Sequence, residues 1–123
     1  MITVSPLKDK NEISGFFERS GRTARENSGC VAASSGEEIL GFCLYELNNK
    51  GITVLDITPK DDLSLADGIL RSTLHVAAGR SLMDARYEGE ENEKLFEKLG
   101  FILDKQDKKL DIDKLFKGCG CCK

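Results

Sequence analysis

The stretch from Gly51 to Gly79 constrains the fold of this chain more than any other part of it. Its first residues, GITVLDIT, form a β-branched run that is typical of a strand, and Pro59 ends the run because proline lacks the N–H that a sheet ladder needs. Helical spacing of apolar residues follows from Gly68 to Ala78. A strand that leads to a helix N-terminus can bind an anion, since unpaired N–H groups and the helix dipole point there. Most such units are scaffold only, so the feature needs support from the rest of the chain.

Length and composition indicate one globular domain. The chain has 123 residues, 40% hydrophobic and 32% charged, which is enough for one core and too few for two. No apolar run approaches the roughly 20 residues of a membrane-spanning helix, so no membrane partner is expected. The net charge of -3 gives no large positive field, so nucleic acid is not expected as a partner. The N-terminal MITVSPLKDK lacks the pattern of a secretory signal, which predicts a cytoplasmic location.

Five cysteines, three of them at the C-terminus, indicate reduced thiols rather than a disulfide scaffold. Cys30 and Cys43 lie in apolar runs and are interpreted as small buried hydrophobes. The cysteine-rich end divides the chain into a domain at 1–117 and a tail at 118–123. In that tail, Cys119, Cys121 and Cys122 are candidate ligands for zinc or another soft metal, or thiols for disulfide exchange. The alternative is an oxidisable chain end, because the paired CxxC spacing of a zinc site is missing.

The N-terminal residues predict a strand at Ile2–Val4 followed directly by a helix. Ser5 is placed to cap this helix, and Pro6 would be its first residue, where a missing N–H costs nothing. An apolar face of the helix is expected to pack on a sheet, and it consists of Ile13, Phe16 and Phe17.

The segment from Arg19 to Gly29, RSGRTARENSG, is polar and broken by glycine, which favours a surface loop over a second helix. Its Arg22 and Arg25 are either ligands for an acidic molecule or solvated loop charges.

Three strands in an antiparallel meander are predicted in the middle of the chain. The first two, Cys30–Ser34 and Ile39–Leu47, are joined across Ser35-Gly36, a pair suited to a tight turn. Asn48 to Gly51 forms the next turn, because Asn and Gly tolerate positive φ. The third strand ends at Thr58.

The remaining residues predict a mixed sheet. Ser81–Arg86 is a strand that follows a helix, so it should lie parallel to the strand before that helix. Glu91–Leu99 has helical spacing, and Gly100 supplies a left-handed stop. Two short strands are predicted at Phe101–Leu103 and Leu110–Ile112. The fold class is therefore α/β (α+β), with a mixed, mostly antiparallel sheet flanked by helices in a single domain.

With these elements in order, the chain resembles the GNAT superfamily of acyl-CoA-dependent N-acetyltransferases from about Ile2 to Ile112. Three motifs carry the resemblance: ILGF at the start of a strand, LDITP at a strand end, and LFEKLGF, which looks like the closing helix of the family and its Gly-Phe exit.

The resemblance implies acetyl-CoA as co-substrate and a small-molecule or peptide amine as acceptor. It places pantetheine along the backbone of Leu55 and Ile57, with Gly68 at the pyrophosphate and Ile69 and Arg71 beside it as further cofactor-binding residues.

Several positions depart from the pattern of the family. Its phosphate loop has the form Arg/Gln-x-x-Gly-x-Gly/Ala. If Gly68 is the first glycine, Leu65 replaces the Arg/Gln and Leu70 the second small residue; if Gly68 is the second, Ala66 serves as the first. In both registers Asp67 would repel a bound phosphate. The tyrosine that often protonates the departing thiolate corresponds to Phe96, which has no proton to give. The frequent asparagine before the closing helix falls on Gly89, and Asn92 lies one turn further along.

Three side chains remain as candidates for proton chemistry. Asp56 interrupts the apolar run ITVLDI, and a buried carboxylate there could act as a general base, although a structural role at the strand end explains it as well. Glu46 is a second candidate base. Tyr87 is the nearest substitute donor for the thiolate, with packing as the alternative interpretation.

The sequence thus predicts a GNAT-type enzyme that transfers an acyl group from acyl-CoA to an amine by direct attack. Two alternatives stay open: a non-catalytic module of the same fold that binds CoA or another ligand, and a metal or redox thiol protein that acts through the CGCC tail. A homodimer is also left open.

Overall fold

Seven strands form one mixed sheet with the order β1-β2-β3-β4-β5-β7-β6 in the computed structural model, which describes residues 2–117. In chain order the elements are β1 (Ile2–Pro6), α1 (Lys10–Arg19), β2 (Ser28–Ser35), β3 (Glu38–Leu47), β4 (Gly51–Thr58), α2 (Leu63–Ala78), β5 (Asp84–Tyr87), α3 (Glu90–Leu99), β6 (Ile102–Asp104), β7 (Lys109–Leu110) and α4 (Lys114–Lys117).

The predicted fold class is confirmed. Strands β1 to β4 are an antiparallel meander, and β5 lies parallel to β4 after the α2 crossover. The turn between β2 and β3 places Gly36 at φ 62°, where glycine is favoured. Helix α3 ends at Gly100 with φ 77°, which confirms the predicted left-handed stop.

The predicted start of the first helix is wrong. Ser5 and Pro6 belong to β1, which pairs antiparallel with β2, and the helix begins at Lys10. Asp9 caps it, since its carboxylate accepts a hydrogen bond from the Asn11 N–H at 2.8 Å. The two possible caps are four residues apart, and pairing with β2 decides between them.

Helix α2 also begins earlier than the sequence pattern indicated. Its first residue is Leu63, and Asp62 caps it by accepting from the Leu65 N–H at 3.1 Å. Gly68 therefore lies in the second turn of the helix and not at its N-terminus. The C-terminal end, at Ala78, agrees with the prediction.

Two apolar clusters cover the two faces of the sheet. The larger cluster lies under α2 and α3 and includes Val54, Ile57 and Ile69, all fully buried. The smaller cluster lies under α1, where Phe17 packs with Leu44 and Leu55. The sheet thus separates a side covered by α2 and α3 from a side covered by α1.

The last strands are shifted from their predicted positions, to Ile102–Asp104 and Lys109–Leu110. No helix within residues 2–117 is long and apolar enough to cross a membrane. The predicted domain boundary and the tail ligands Cys119, Cys121 and Cys122 lie outside the described residues, so both stay predictions.

Candidate functional site

A β-bulge divides β4 into two parts. Against β3, Asp56 lies opposite Leu44 and Val54 lies opposite the next residue, so Leu55 is one extra residue on β4. On its other side, β4 pairs with β5 only as far as Val54. The second half of β4, Leu55–Thr58, therefore has an open edge where the two parallel strands separate.

The bulge also reverses the direction of the side chains that follow it. Val54 and Ile57 both lie in the larger core, whereas Asp56 lies opposite Leu44 on the α1 side. The buried carboxylate considered from the sequence is thus not found: the Asp56 side chain is 34% exposed, and its Oδ1 lies 3.1 Å from the Lys60 Nζ. The same oxygen accepts a hydrogen bond from the Ile57 N–H at 2.9 Å.

Side chains of the protein itself satisfy most of the polar groups at the open edge. The Leu55 carbonyl accepts hydrogen bonds from Arg22 Nη2 and from Asn92 Nδ2, both at 3.2 Å. The Ile57 carbonyl accepts one from Lys60 Nζ at 2.8 Å. Side-chain donors take the place that a neighbouring strand would fill.

Asn92 spans the gap between the two separating strands. It lies in the first turn of α3, only 4% exposed, and its Nδ2 also donates to the Glu88 carbonyl at 2.8 Å. Its Oδ1 is buried and has no hydrogen-bond partner within residues 2–117. A buried acceptor without a donor is uncommon and costs free energy, so a ligand or water that came to donate to it would lower that cost.

Sequence reasoning noted Asn92 only as displaced from a family position. A direct signal was available, because Asn92 shares helical spacing with the apolar residues Leu95, Phe96 and Leu99 and so falls on the buried face of α3. A polar residue on such a face requires partners.

Arg22 comes from the predicted loop after α1, and the structure assigns it a partner in the sheet. Besides its bond to the Leu55 carbonyl, its Nη1 lies 3.8 Å from Glu88 Oε1. The guanidinium thus bridges the end of β5 and the bulge of β4. A pairing across so long a sequence separation cannot be read from the loop itself.

Two cavities meet at Arg22 and Leu55. We call the one at the open edge the split cavity; it has a volume of about 260 Å³ and is lined by Arg22, Leu55, Asp56, Lys60, Gly89, Glu90, Glu91 and Asn92. The one on the α1 side, the α1 cavity, has a volume of about 420 Å³ and is lined by Phe17, Arg22, Thr23, Arg25, Glu46, Leu55 and Glu88. A molecule at the bulge could therefore be approached from both sides of Arg22.

Several solved structures with a similar arrangement of elements are named as acetyltransferases. A GNAT-family acetyltransferase from Streptococcus pneumoniae superposes with a TM-score of 0.56 at 15% identity, over 83% of this chain and 88% of the other. The chain has the GNAT fold. The ribosomal-protein-S18-alanine N-acetyltransferase from Escherichia coli superposes with a TM-score of 0.59 at 12% identity, over 89% and 88% of the two chains. An IAA acetyltransferase from Bacillus cereus superposes with a TM-score of 0.59 at 14% identity, over 80% of this chain and 75% of the other. No family model and no curated protein sequence matches the chain.

The residues around the split cavity fit the pantetheine part of the acyl-CoA that the GNAT resemblance implies. Pantetheine carries amide N–H groups, and Asn92 Oδ1 is a buried acceptor for which the described residues provide no donor. The open edge of β4 beside it offers the backbone of Leu55 and Ile57, the two residues predicted to bind this group. Their carbonyls are hydrogen-bonded to Arg22, Asn92 and Lys60, so a ligand there must share or displace these donors.

The N-terminus of α2 does not fit a pyrophosphate. The Asp62 carboxylate accepts from the Leu65 N–H and its carbonyl accepts from Ala66, so two N–H groups of the first turn are already bonded. Asp61 and Asp62 both line the adjacent groove, whose described lining includes no basic residue. Two carboxylates there repel an anion. The phosphate loop of the GNAT resemblance is replaced by helix.

The other predicted cofactor residues lie apart from the split cavity. Gly68 lines the groove beside β1, and a Cβ added to it would meet no atom within 4 Å. Ile69 is fully buried in the larger core. Arg71 donates from Nε to Asp67 Oδ2 at 2.8 Å, and its guanidinium carbon lies 5.1 Å from the centre of the Phe101 ring.

Tyr87 is buried at the end of β5, under α3. Its hydroxyl donates to Glu93 Oε1 at 2.6 Å, and its ring packs edge-on against Phe96. Burial, and then the hydrogen bond to Glu93, raise the pKa of this phenol well above its usual range. Tyr87 is not among the residues that line the split cavity or the α1 cavity.

The buried thiols are not nucleophiles. Burial raises the pKa of both Cys30 and Cys43 to about 12, and neither side chain is exposed. His75 is exposed on α2. Within residues 2–117, no group of three or more His, Cys, Asp or Glu side chains is placed to bind a metal.

Proposed function

We propose that this protein is an acyl-CoA-dependent N-acyltransferase that acts at the junction of the split cavity and the α1 cavity. The observation that carries the proposal is the bulge at Leu55 with the buried Asn92 Oδ1 beside it, which has no partner in the described part of the chain. A strand edge and an orphan acceptor together form a site for a ligand that has amide donors.

In this proposal Asn92 and the open edge of β4 hold the acyl-CoA. When bound, acyl-CoA supplies a thioester carbonyl that is activated for attack by an amine. Arg22 lies between the two cavities and must change partners when a ligand reaches the Leu55 carbonyl. The main contribution of the protein is positioning, which can lower a barrier by several kcal/mol.

We propose Glu46 as the group that takes a proton from the amine, in preference to Asp56. Asp56 lines the split cavity and its carboxylate is engaged by Lys60 and the Ile57 N–H. Glu46 lines the α1 cavity, where an amine would enter, and its carboxylate has no hydrogen bond or ion pair within the described residues. An unpaired carboxylate can accept a proton without first losing a partner.

The proposed role of Tyr87 as a proton donor is less supported by its surroundings. Its proton is held by Glu93. Solvent at the split cavity can protonate the leaving thiolate instead, because a thiol has a pKa near 8.5, so its anion leaves without a positioned acid and then takes a proton from water at neutral pH.

A second candidate function is a module that binds CoA or another ligand without turnover. The carboxylates of Asp61 and Asp62 at the α2 N-terminus oppose binding of a pyrophosphate, so they favour the form of this candidate whose ligand is not CoA. The predicted metal or redox function of the tail concerns residues outside 2–117 and stays a prediction.

The test is a thermal-shift titration with acetyl-CoA, CoA and zinc, followed by a thiol-release assay with a broad panel of amines. Stabilisation by acetyl-CoA together with amine-dependent thiol release is the expected result. Stabilisation without release supports the second candidate, and no response to either CoA compound overturns the proposed acyl transfer. A response to zinc alone that disappears with the tail deleted favours the third function.

The Asn92→Leu variant ties the titration to the site. We expect acetyl-CoA to lose most of its effect, and the free energy of unfolding to fall by about 1–3 kcal/mol because two backbone carbonyls lose a donor. Lys94→Leu, on the exposed side of the same helix, is the matched control. Calorimetry below the unfolding temperature separates lost binding from lost stability. Unchanged affinity in Asn92→Leu would remove Asn92 from the proposed site.

A further inference from the structure

The α1 cavity contains four charged side chains of which two are paired with each other. Arg22 and Glu88 form an ion pair at 3.8 Å, and Arg22 also donates to the Leu55 carbonyl. Arg25 and Glu46 line the same cavity, and neither side chain has a hydrogen bond or ion pair within residues 2–117. One guanidinium and one carboxylate are therefore left for a ligand.

The backbone fixes these two residues relative to each other. Asn27 and Leu47 exchange two hydrogen bonds, from Asn27 Nδ2 to the Leu47 carbonyl at 2.8 Å and from the Leu47 N–H to the Asn27 carbonyl at 2.9 Å. Ser28 lies opposite Glu46 in the sheet, and its Oγ accepts from the Arg25 N–H at 2.7 Å. The loop that carries Arg25 is thus tied to the end of β3 that carries Glu46.

The position of Glu46 follows from the alternation of β3. Leu44 points to the α1 side, into the smaller core, and Glu46 two residues further points to the same side. Phe17 and Leu55 form the apolar wall of the cavity. A volume of about 420 Å³ accommodates a small molecule or one amino-acid residue.

We propose that the acceptor is a small zwitterion, an amine that also carries a carboxylate. Glu46 holds its ammonium group and Arg25 holds its acid group, because a planar guanidinium binds a carboxylate through two parallel hydrogen bonds. The inference rests on the proposed function, since it names the substrate class of the same site. It extends that function by explaining why both signs of charge are left unpaired in one cavity.

The experiment is an NMR titration of the protein alone, without acyl-CoA, against 4-aminobutyrate, butylamine and butyrate. Amino acids with shorter spacing between amine and carboxylate extend the series. We expect one zwitterion of the series to bind at least tenfold more tightly than the amine or the acid of the same length, with shifts at Glu46 and Arg25. Equal binding of amine and zwitterion would overturn the proposal.

Two variants separate the contributions of Glu46 and Arg25 to the binding of the zwitterion. Glu46→Gln should weaken binding of the zwitterion and of the amine but not of the acid. Arg25→Gln should weaken binding of the zwitterion and of the acid but not of the amine. Glu38→Gln, at the other end of β3, and Lys98→Gln, in the last turn of α3, are matched controls that should change nothing. Equal losses for all three probes in either variant would overturn the assignment.

The outcome is separable from that of the proposed function. Zwitterion binding without thiol release contradicts acyl transfer and leaves the acceptor site standing. Thiol release with simple amines, without preferred zwitterion binding, supports acyl transfer and overturns this inference.

Discussion

The two halves of β4 come from one continuous run, yet they have opposite surroundings. Ile52–Val54 is paired on both edges, to β3 and to β5, and Gly51 before it is paired to β5. After the bulge, Asp56–Thr58 is paired to β3 only, and the Leu55 carbonyl on the other edge is bonded to the side chains of Arg22 and Asn92. A single extra residue, Leu55, separates the two halves.

This difference indicates where a sheet of this kind can bind a ligand. Where backbone groups bond to one another, the strand offers a ligand no donors or acceptors. Where side chains satisfy those groups, a ligand can compete with them one hydrogen bond at a time, and a net hydrogen bond is worth about 0.5–1.5 kcal/mol. Both proposals above therefore fall on the second half and its two cavities.

The largest expected effect comes from a substitution in the first half of β4. Gly51→Ala would place a Cβ 1.7 Å from the Asp84 carbonyl oxygen, so β4 and β5 would have to separate. We expect the free energy of unfolding to fall by roughly 3 kcal/mol or more, at the upper end of the cost of overpacking. Urea unfolding followed by circular dichroism measures the loss.

Gly68→Ala is the matched control, because a Cβ there meets open space in the middle of α2. It should stabilise the protein by about 0.5–1 kcal/mol, the usual gain for alanine over glycine in a helix. Similar effects of the two substitutions would show that the close pairing in the first half is not what the structure indicates.

An effect of intermediate size is expected in the pH dependence of the free energy of unfolding. It reports whether water reaches Cys43, which lies opposite Ile57 on the side of β4 that faces α2. Burial raises the pKa of the Cys43 thiol from 9.0 to about 12. Above pH 9 the unfolded chain loses a proton that the folded protein retains, so stability is complete below pH 9 and falls as pH rises. The slope approaches about 1.4 kcal/mol per pH unit.

Wild type should therefore lose about 1.4 kcal/mol more than Cys43→Val between pH 8 and pH 10, in urea unfolding at each pH. Valine is close in volume, so the variant should remain folded at pH 8. The difference between the two proteins isolates this thiol from the other cysteines. Parallel curves would mean that water reaches Cys43.

The smallest expected effect concerns the open edge itself. Lys60→Met removes an ion pair with Asp56 and a bond to the Ile57 carbonyl, but both side chains of the pair are about one-third exposed, at 33% and 34%. We expect the free energy of unfolding to fall by only about 0–1 kcal/mol, as for exposed pairs. Lys108→Met, at an exposed turn, is the control. A loss of 3 kcal/mol would mean that this edge is closed as tightly as the first half.

Much of the fold could be predicted because local signals agree with it. Gly36 and Gly100 adopt the positive φ values that their turns require, and the apolar runs of β2, β3 and β4 fall within a few residues of their predicted bounds. In α2 the N-terminal signal is Asp62, directly before Leu63, whereas the glycine motif around Gly68 favours a later start.

The candidate site could be predicted only in part, because it depends on contacts between distant residues. The bulge at Leu55 leaves no mark in the run VLDI, and without it Asp56 would point into the larger core with Val54. Arg22 reaches β4 across 33 positions of sequence. Leu55 and Ile57 were correctly placed at the strand end, whereas the importance of Asn92 depends on which face of α3 is buried.

Pro6 has a consequence for how this protein behaves at high concentration. It lies in β1, the first strand of the sheet, whose outer edge has no neighbouring strand within residues 2–117. An unpaired edge can template the addition of strands from other molecules, and Ile2, 55% exposed, is an apolar side chain that would favour such growth. Proline has no N–H to offer a newcomer, so it limits how far an added strand can pair. Pro6, which was predicted to begin the first helix, thereby helps to keep neighbouring molecules from polymerising edge to edge.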